Sequence, residues 1–331
     1  MELGRGRSPA GKGGLAMKKT IPIIVAVAVV VVAGILAGLW RTEAHPYEWV
    51  ASWGSKGSDD GQFLYIEDFA IDSKGNILVT DALTSTVQAF SKEGEFVAKF
   101  GGKGNEKGSL EKPEGIAVSK DGRIYVADYL TGFIKVYSAD FNHLKTFSGL
   151  GTGPGMTSES EFMDFSPVNG LLYIAEAGNH RVSVFDQEGT FKFSFGEYGS
   201  GRGQLNRPEA AKVASDGTVY VADLGNHRIQ VFSAEGKFIR KFGKEGNGPG
   251  EFRRPAGITL TKGGKIFVTE IGNNRVQKLN QDGTFICMWG TEGSEDGQFG
   301  NLHGILSDEA GNIYVADSAN YRVQKFRATS M

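Results

Sequence analysis

The sequence predicts an all-β chain: a six-bladed β-propeller of four-stranded antiparallel blades, preceded by one apolar helix. Three observations carry that reading. An aromatic residue closes a short apolar run six times, at Trp53, Phe100, Phe147, Phe195, Phe242 and Trp289, always 47 or 48 residues apart. An acidic series, Asp81, Asp128, Glu176, Asp223, Glu270 and Asp317, keeps the same interval and mostly ends strings such as YVAD. Turn signals built on glycine recur between apolar runs of four to six residues. A fixed period of this length marks a solenoid or a propeller, because one repeat cannot bury its own apolar face.

The elements follow in order. In the second repeat, GIAVS (115–119), RIYVAD (123–128), FIKVYS (133–138) and HLKTF (143–147) read as four short strands. The turns before the second strands include Gly75-Asn76, Asp121-Gly122, Asp216-Gly217 and Gly311-Asn312. Those before the fourth include Lys92-Glu93-Gly94, Gln187-Glu188-Gly189 and Gln281-Asp282-Gly283. Glycine supplies the positive φ that such tight hairpins need. Strands with no helical period, four to a repeat, make a propeller. The chain ends support a closed ring: Glu48–Trp53 matches a fourth strand, and the last repeat stops after its third, Tyr321–Phe326. Residues 48–53 should therefore pair onto the last blade, which removes exposed sheet edges.

The organisation ahead of the repeats is a basic tail (1–19), a transmembrane signal-anchor helix (20–40) and a linker (41–46), with the propeller at 47–331. Ile21–Trp40 is twenty residues without a charge, long enough to cross a bilayer and longer than a signal-peptide core. Cleavage near Thr42-Glu43-Ala44 is the alternative. Arg5, Arg7, Lys12, Lys18 and Lys19 precede the span, so the positive-inside rule places the propeller outside the cytoplasm on a single-pass membrane protein. Met17-Lys18-Lys19 looks like a bacterial start, which makes 1–16 a candidate upstream extension.

Removing the six basic and two acidic residues of 1–46 leaves 30 basic and 36 acidic residues, a net charge of about −6. No general attraction for nucleic acid follows from that balance, and none is expected as a partner. The single cysteine, Cys287, lies in the apolar run FICMW and reads as a buried free thiol.

The pattern G-x-x-x-G-x-F/L-x-x-P-x-G-I, followed by Y-V-A-D-x-x-N-x-R-[IV]-Q-x-F, resembles the NHL repeat. Gly246–Ile258 and Tyr220–Phe232 are its best copies, and the resemblance covers residues 48–326. It implies a six-bladed propeller and, in this setting, a bacterial or archaeal membrane-anchored one. The family spans binding modules, sensors and a few enzymes, so the resemblance leaves the function to the site itself.

The residue after the proline of P-x-G-I begins the innermost strand beside the channel. In order it is Glu67, Glu114, Glu161, Glu209, Ala256 and His303, with Glu161 placed by a one-residue insertion in the Ser166–Gly170 turn. Glu67, Glu114, Glu161, Glu209 and His303 form a candidate divalent-metal site. Glu114, Glu209 and His303 fall on alternate blades. Oxygen ligands suit Ca²⁺ or Mn²⁺, and a Glu₂His set also suits Zn²⁺ or Fe²⁺. The bland alternative is that these glutamates lie solvated or are paired with neighbours such as Lys112 and Arg207. Without a cation, mutual repulsion should raise some of these carboxyl pKa values.

The peptidyl-hydroxyglycine amidating lyases resemble NHL propellers and hold zinc with three histidines in P-H-G-like contexts. Only His303, in Leu302-His303-Gly304-Ile305, matches, while Glu114 and Glu209 stand where other histidines would be wanted. A zinc lyase is therefore not supported, and a lactonase-like metallohydrolase stays open on geometry. No Ser/His/Asp or Cys/His arrangement stands out.

The recurring acids read as architecture, capping the next turn beside Arg181, Arg228, Arg275 and Arg322, and His180 and His227 read as structural members of the same loop. The first two blades replace N-x-R by Thr84-Ser85-Thr86 and Thr131-Gly132-Phe133. With Leu83, Tyr129, Leu130 and Phe133 these form a candidate apolar partner patch. Arg207, Arg253 and Arg254 add a basic stretch suited to an envelope polyanion. The leading expectation is a binding or scaffold module for a protein, peptide or envelope polymer. The competing class is a metal-dependent lyase or hydrolase centred on Glu114, Glu209 and His303.

Overall fold

The computed structural model describes residues 46–329, which form six four-stranded antiparallel blades. The predicted tail, the anchor helix and nearly all of the linker lie outside the described residues. Among the described residues no helix is long and apolar enough to cross a membrane. The innermost strands are Ile66–Ile71, Pro113–Val118, Ser160–Phe165, Pro208–Val213, Pro255–Leu260 and Leu302–Ser307. Each packs on its counterpart in the next blade, and the sixth packs on the first, so the ring is complete.

Burial decreases from the centre outwards, and the sequence pattern follows it. Second strands such as Ile77–Asp81 and Ile124–Asp128 are buried at every position and read as continuous apolar runs. Outermost strands such as Phe191–Phe195 alternate between half-buried and exposed, because one face meets water. Cys287 lies on such a strand, Phe285–Trp289, and is half-buried rather than buried as its apolar run suggested.

The periodic aromatics wedge between blades. Phe100 packs on Tyr137 of the next blade (ring centroids 4.8 Å apart), Phe147 on Phe185 (5.4 Å), Phe195 on Phe232 (4.8 Å) and Trp289 on Phe326 (5.8 Å). Trp53 does the same across the closure, against Phe90 at 6.1 Å. Each such pair contributes about 0.5–1.5 kcal/mol beyond its buried area.

Tyr47–Trp53 pairs antiparallel with Arg322–Ala328, placing Trp53 opposite Val323 and Tyr47 opposite Ala328. The expected closure is present; the first strand begins one residue earlier than expected, at Tyr47, and the last runs from Arg322 to Ala328 rather than from Tyr321 to Phe326. Tyr321 does not join the last strand because it holds a left-handed φ of 58° at the end of the 3₁₀ turn Ser318–Asn320. In the third blade Phe162 bridges Ala210, which aligns Glu161 with Glu209 as the inserted residue required.

A candidate binding site at the channel mouth

The periodic acids hold the loops that present the site. All six are fully buried. Asp223 accepts hydrogen bonds from the Asn206 amide (2.7 Å), Arg228 Nε (2.7 Å), Asn226 Nδ2 and Gln230 Nε2. Arg228 in turn donates to the carbonyls of Ser200, Gly201 and Gln204. One carboxylate thus ties the loop before the innermost strand to the loop after the second strand. In the first blade Asp81 does this through the amides of Leu64, Tyr65, Leu83 and Thr84.

A second device links neighbouring blades. The middle residue of N-x-R is left-handed in each case: His180 (φ 54°), His227 (55°), Asn274 (48°) and Tyr321 (58°). Where the motif is lost, Ser85 and Gly132 keep a positive φ (61° and 67°), and glycine meets that demand without strain. From this position His180 Nδ1 accepts the Arg207 amide and His227 Nδ1 accepts the Arg254 amide, both at 3.0 Å. Asn274 Oδ1 accepts the Asn301 amide at 3.0 Å. The two histidines are structural, as expected.

These loops enclose a cavity of about 360 Å³ at the channel mouth. Three phases of the repeat supply nearly all of its lining. The second residue of the innermost strand contributes Glu67, Glu114, Glu161, Glu209 and His303. The residue two places earlier contributes Tyr65, Lys112, Arg207 and Arg254. The residue after the clamping acid contributes Ala82, Tyr129, Leu224 and Ile271. On the fifth blade Ala256 stands where an acid would be and packs with Leu224 and Ile271, so the ring of polar groups is broken by an apolar wall.

The polar groups are buried rather than solvated, with Glu67, Glu114, Glu161, Glu209 and His303 all less than 10 % exposed, while the expected pairing with Lys112 is present for Glu114. Lys112 Nζ lies 2.5 Å from Glu114 Oε1 and 3.8 Å from the Tyr129 ring centre. Arg207 turns away from Glu209 to pair with Glu159 at 2.7 Å. His303 Nδ1 lies 3.0 Å from Glu67 Oε2 and 3.8 Å from Glu209 Oε1. The shorter contact has ion-pair distance without hydrogen-bond alignment, so Nδ1 makes a Coulombic rather than a directional bond. His303 Nε2 meets the Tyr65 hydroxyl at 3.1 Å, and Asn301 Nδ2 donates to that hydroxyl.

Burial and mutual repulsion shift these groups in a consistent direction. Burial lifts Glu67 to about 7, with repulsion from Glu114 and Glu209 adding to it and His303 opposing. Burial, reinforced by Glu209 and Glu114 and by a side-chain hydrogen bond with Glu114, lifts Glu161 well above the carboxylate range. Glu209 is raised chiefly by burial. Burial opposes a charged His303, yet Glu67, Glu209 and Glu114 outweigh it and raise the imidazole to about 9. Burial lifts the Tyr65 phenol to about 12.

Among the described residues no group of three or more His, Cys, Asp or Glu side chains is arranged to hold a metal ion. The reason lies in the pairing. His303 offers its two nitrogens to Glu67 and Tyr65, and Glu114 is taken by Lys112 and Glu161. The alternate-blade trio of Glu114, Glu209 and His303 is replaced by a contact between neighbouring blades, His303 with Glu67.

The structure divides the other sequence candidates. Leu83, Tyr129, Arg207 and Arg254 join the cavity. Leu130 and Phe133 lie outside it, exposed, so the four apolar residues do not form one lining. Arg253 is exposed and outside it too, with its amide bound to Glu270. Tyr65, Ala82, Leu224 and Ile271 escaped sequence reasoning. Their repeat phase, two residues before the strand position or one after the periodic acid, was the available signal.

NHL repeats match residues 110–137 and 299–326. The chain carries NHL repeats within a β-propeller. A family described as a 6-bladed β-propeller matches residues 204–286. The RING finger protein nhl-1 of Caenorhabditis elegans is 50 % identical over 46 residues, 14 % of this chain and 4 % of that protein. The match thus spans a small fraction of that relative's length. Among solved structures, a streptogramin B lyase has a TM-score of 0.58 at 19 % identity, covering 80 % of this chain and 79 % of that chain. A gluconolactonase from Xanthomonas campestris scores 0.62 at 13 % identity (82 % and 88 % covered). An auxiliary nutrient binding protein from Bacteroides thetaiotaomicron scores 0.61 at 13 % identity (85 % and 72 %). At these identities the likeness is one of fold.

Proposed function

We propose that this chain is a membrane-anchored, extracytoplasmic binding propeller whose channel mouth takes a small ligand or the tip of a peptide. The observation that carries the reading is the cavity itself. Loops from across the ring, fixed by buried acid clamps, converge on about 360 Å³ that combine charged groups with an apolar wall. A nutrient binding protein among the solved propellers of similar fold is in keeping with this reading. Leu130, Phe133 and Arg253, outside the cavity, are available to a larger protein or polymer partner.

The test is a thermal-shift panel of amines, carboxylates, sugars and short peptides. At least one class should raise the melting temperature of the native chain and lose that effect in Leu224→Trp, which fills the cavity. Stabilisation by no class, or equal stabilisation of both proteins, would sink the reading.

A metal-dependent lyase or hydrolase is the second reading, favoured by the His303–Glu67 contact and the nearby Glu209. It needs the side chains to re-pair around an added cation. Elemental mass spectrometry after incubation with Ca²⁺, Mn²⁺ and Zn²⁺ decides it. Stoichiometric metal that disappears in Glu67→Gln and His303→Ala would promote the enzyme over the binding module.

A further inference from the structure

The acids of the cavity are not equivalent. Glu114 has Lys112, Glu67 has His303, and Glu161 has a side-chain hydrogen bond with Glu114. Glu209 is the exception. Its side chain is only 10 % exposed, it lines the cavity, and its only ion-pair contact among the described residues is His303 Nδ1 at 3.8 Å. That nitrogen is closer to Glu67, and Arg207, two residues before Glu209, has turned to Glu159. Among the described residues no hydrogen-bond donor reaches the Glu209 carboxylate. A carboxylate buried in this way carries a desolvation cost that only a proton or an incoming cation offsets.

The surroundings narrow the cation. Leu224 lies in the same blade as Glu209, and Ile271 and Ala256 in the next, so the apolar wall adjoins the unpaired acid. A metal ion needs several donors converging at fixed distances, which the described residues do not supply. An ammonium group needs only acceptor oxygens around its three N–H bonds. Arg254 faces the same cavity from its exposed rim, where solvent and salt screen its repulsion.

We propose that the ligand is a primary organic amine with an apolar arm, its ammonium on Glu209 and its arm along Leu224 and Ile271. This deepens the preceding reading and rests on the channel mouth being a binding site. Burial raises the Glu209 carboxyl, and binding of an ammonium ion would reverse that shift and release protons.

Isothermal titration of the full-length chain with three isosteres tests it: 2-phenylethylamine, 2-phenylethanol and phenylacetate. The amine should bind saturably, the alcohol about tenfold or more weakly, and the acid weakest of all. Glu209→Gln should lower amine affinity about tenfold, as expected for losing a charged hydrogen bond, while the melting temperature of the ligand-free protein stays level or rises. Equal binding of amine and alcohol by the native chain overturns the inference without needing the variant. So does amine binding that Glu209→Gln leaves intact, or capture of a different ligand class by the cavity while the amine fails. In each of these outcomes the cavity reading survives. Failure of every isostere together with every class of the thermal-shift panel removes both.

Discussion

His303 Nδ1 lies 3.0 Å from Glu67 Oε2 across the seam where the sixth blade meets the first. The pair joins residues from nearly opposite ends of the repeat array, and ring closure is what brings them together. It also leaves Glu209 without a close cation. The charge pattern of the cavity is therefore a consequence of how the ring shuts.

The same pair sets the alkaline pH response. His303 titrates near 9 in the folded protein and near 6.5 when unfolded, so its stabilising charge is fully present below about 6.5 and lost as pH rises through about 9. The raised Glu161 acts in the same direction, because a carboxyl raised by folding loses its proton more readily in the unfolded chain. The melting temperature should fall between pH 7 and 9, with the imidazole contributing on the order of 2 kcal/mol. Calorimetry on His303→Gln should show a shallower fall. A flat native profile over this window would contradict the pairing.

Two buried carboxylates should answer substitution oppositely. Glu161→Gln replaces a carboxyl whose charged form burial and its acidic neighbours disfavour, so urea midpoints should stay level or rise. Asp223→Ala strands Arg228, which is buried and bonded to it at 2.7 Å, and should cost about 3–5 kcal/mol. Similar losses from both would mean that Glu161 carries a charge in the folded state.

Removing residues 46–53 should open the seam. Arg322–Ala328 would lose its partner and present an unpaired edge, and the Trp53 wedge against Phe90 would go with it. Size-exclusion chromatography should then show association and calorimetry a lower melting temperature. A monomer of unchanged stability would show that closure by the first strand is dispensable.

Amine binding should be linked to protons. Glu67 sits near 7 and Glu209 above its ordinary value, so an ammonium ion in the cavity drives both toward ionisation. Titration of 2-phenylethylamine at pH 7 in phosphate and in Tris should give binding enthalpies that differ by the buffer ionisation heat. Identical enthalpies in the two buffers would exclude proton release.

The sequence by itself determined the ring, its six repeats, the architectural role of the periodic acids and the five polar residues that face the channel. These features are legible because each repeats a local demand at one phase: a wedge at Phe195, a clamp at Asp223, a left-handed residue at His180. Tertiary structure alone decided how the charges pair. Whether Arg207 reaches Glu159 or Glu209, and whether His303 leans toward Glu67 or Glu209, depends on side chains from different blades. Glu159 is a repeat away from Arg207, and Glu209 and Glu67 are further still from His303, so blade packing and ring closure set those distances. Coulomb energy in a buried cavity changes steeply over such distances, and no spacing in the sequence encodes them.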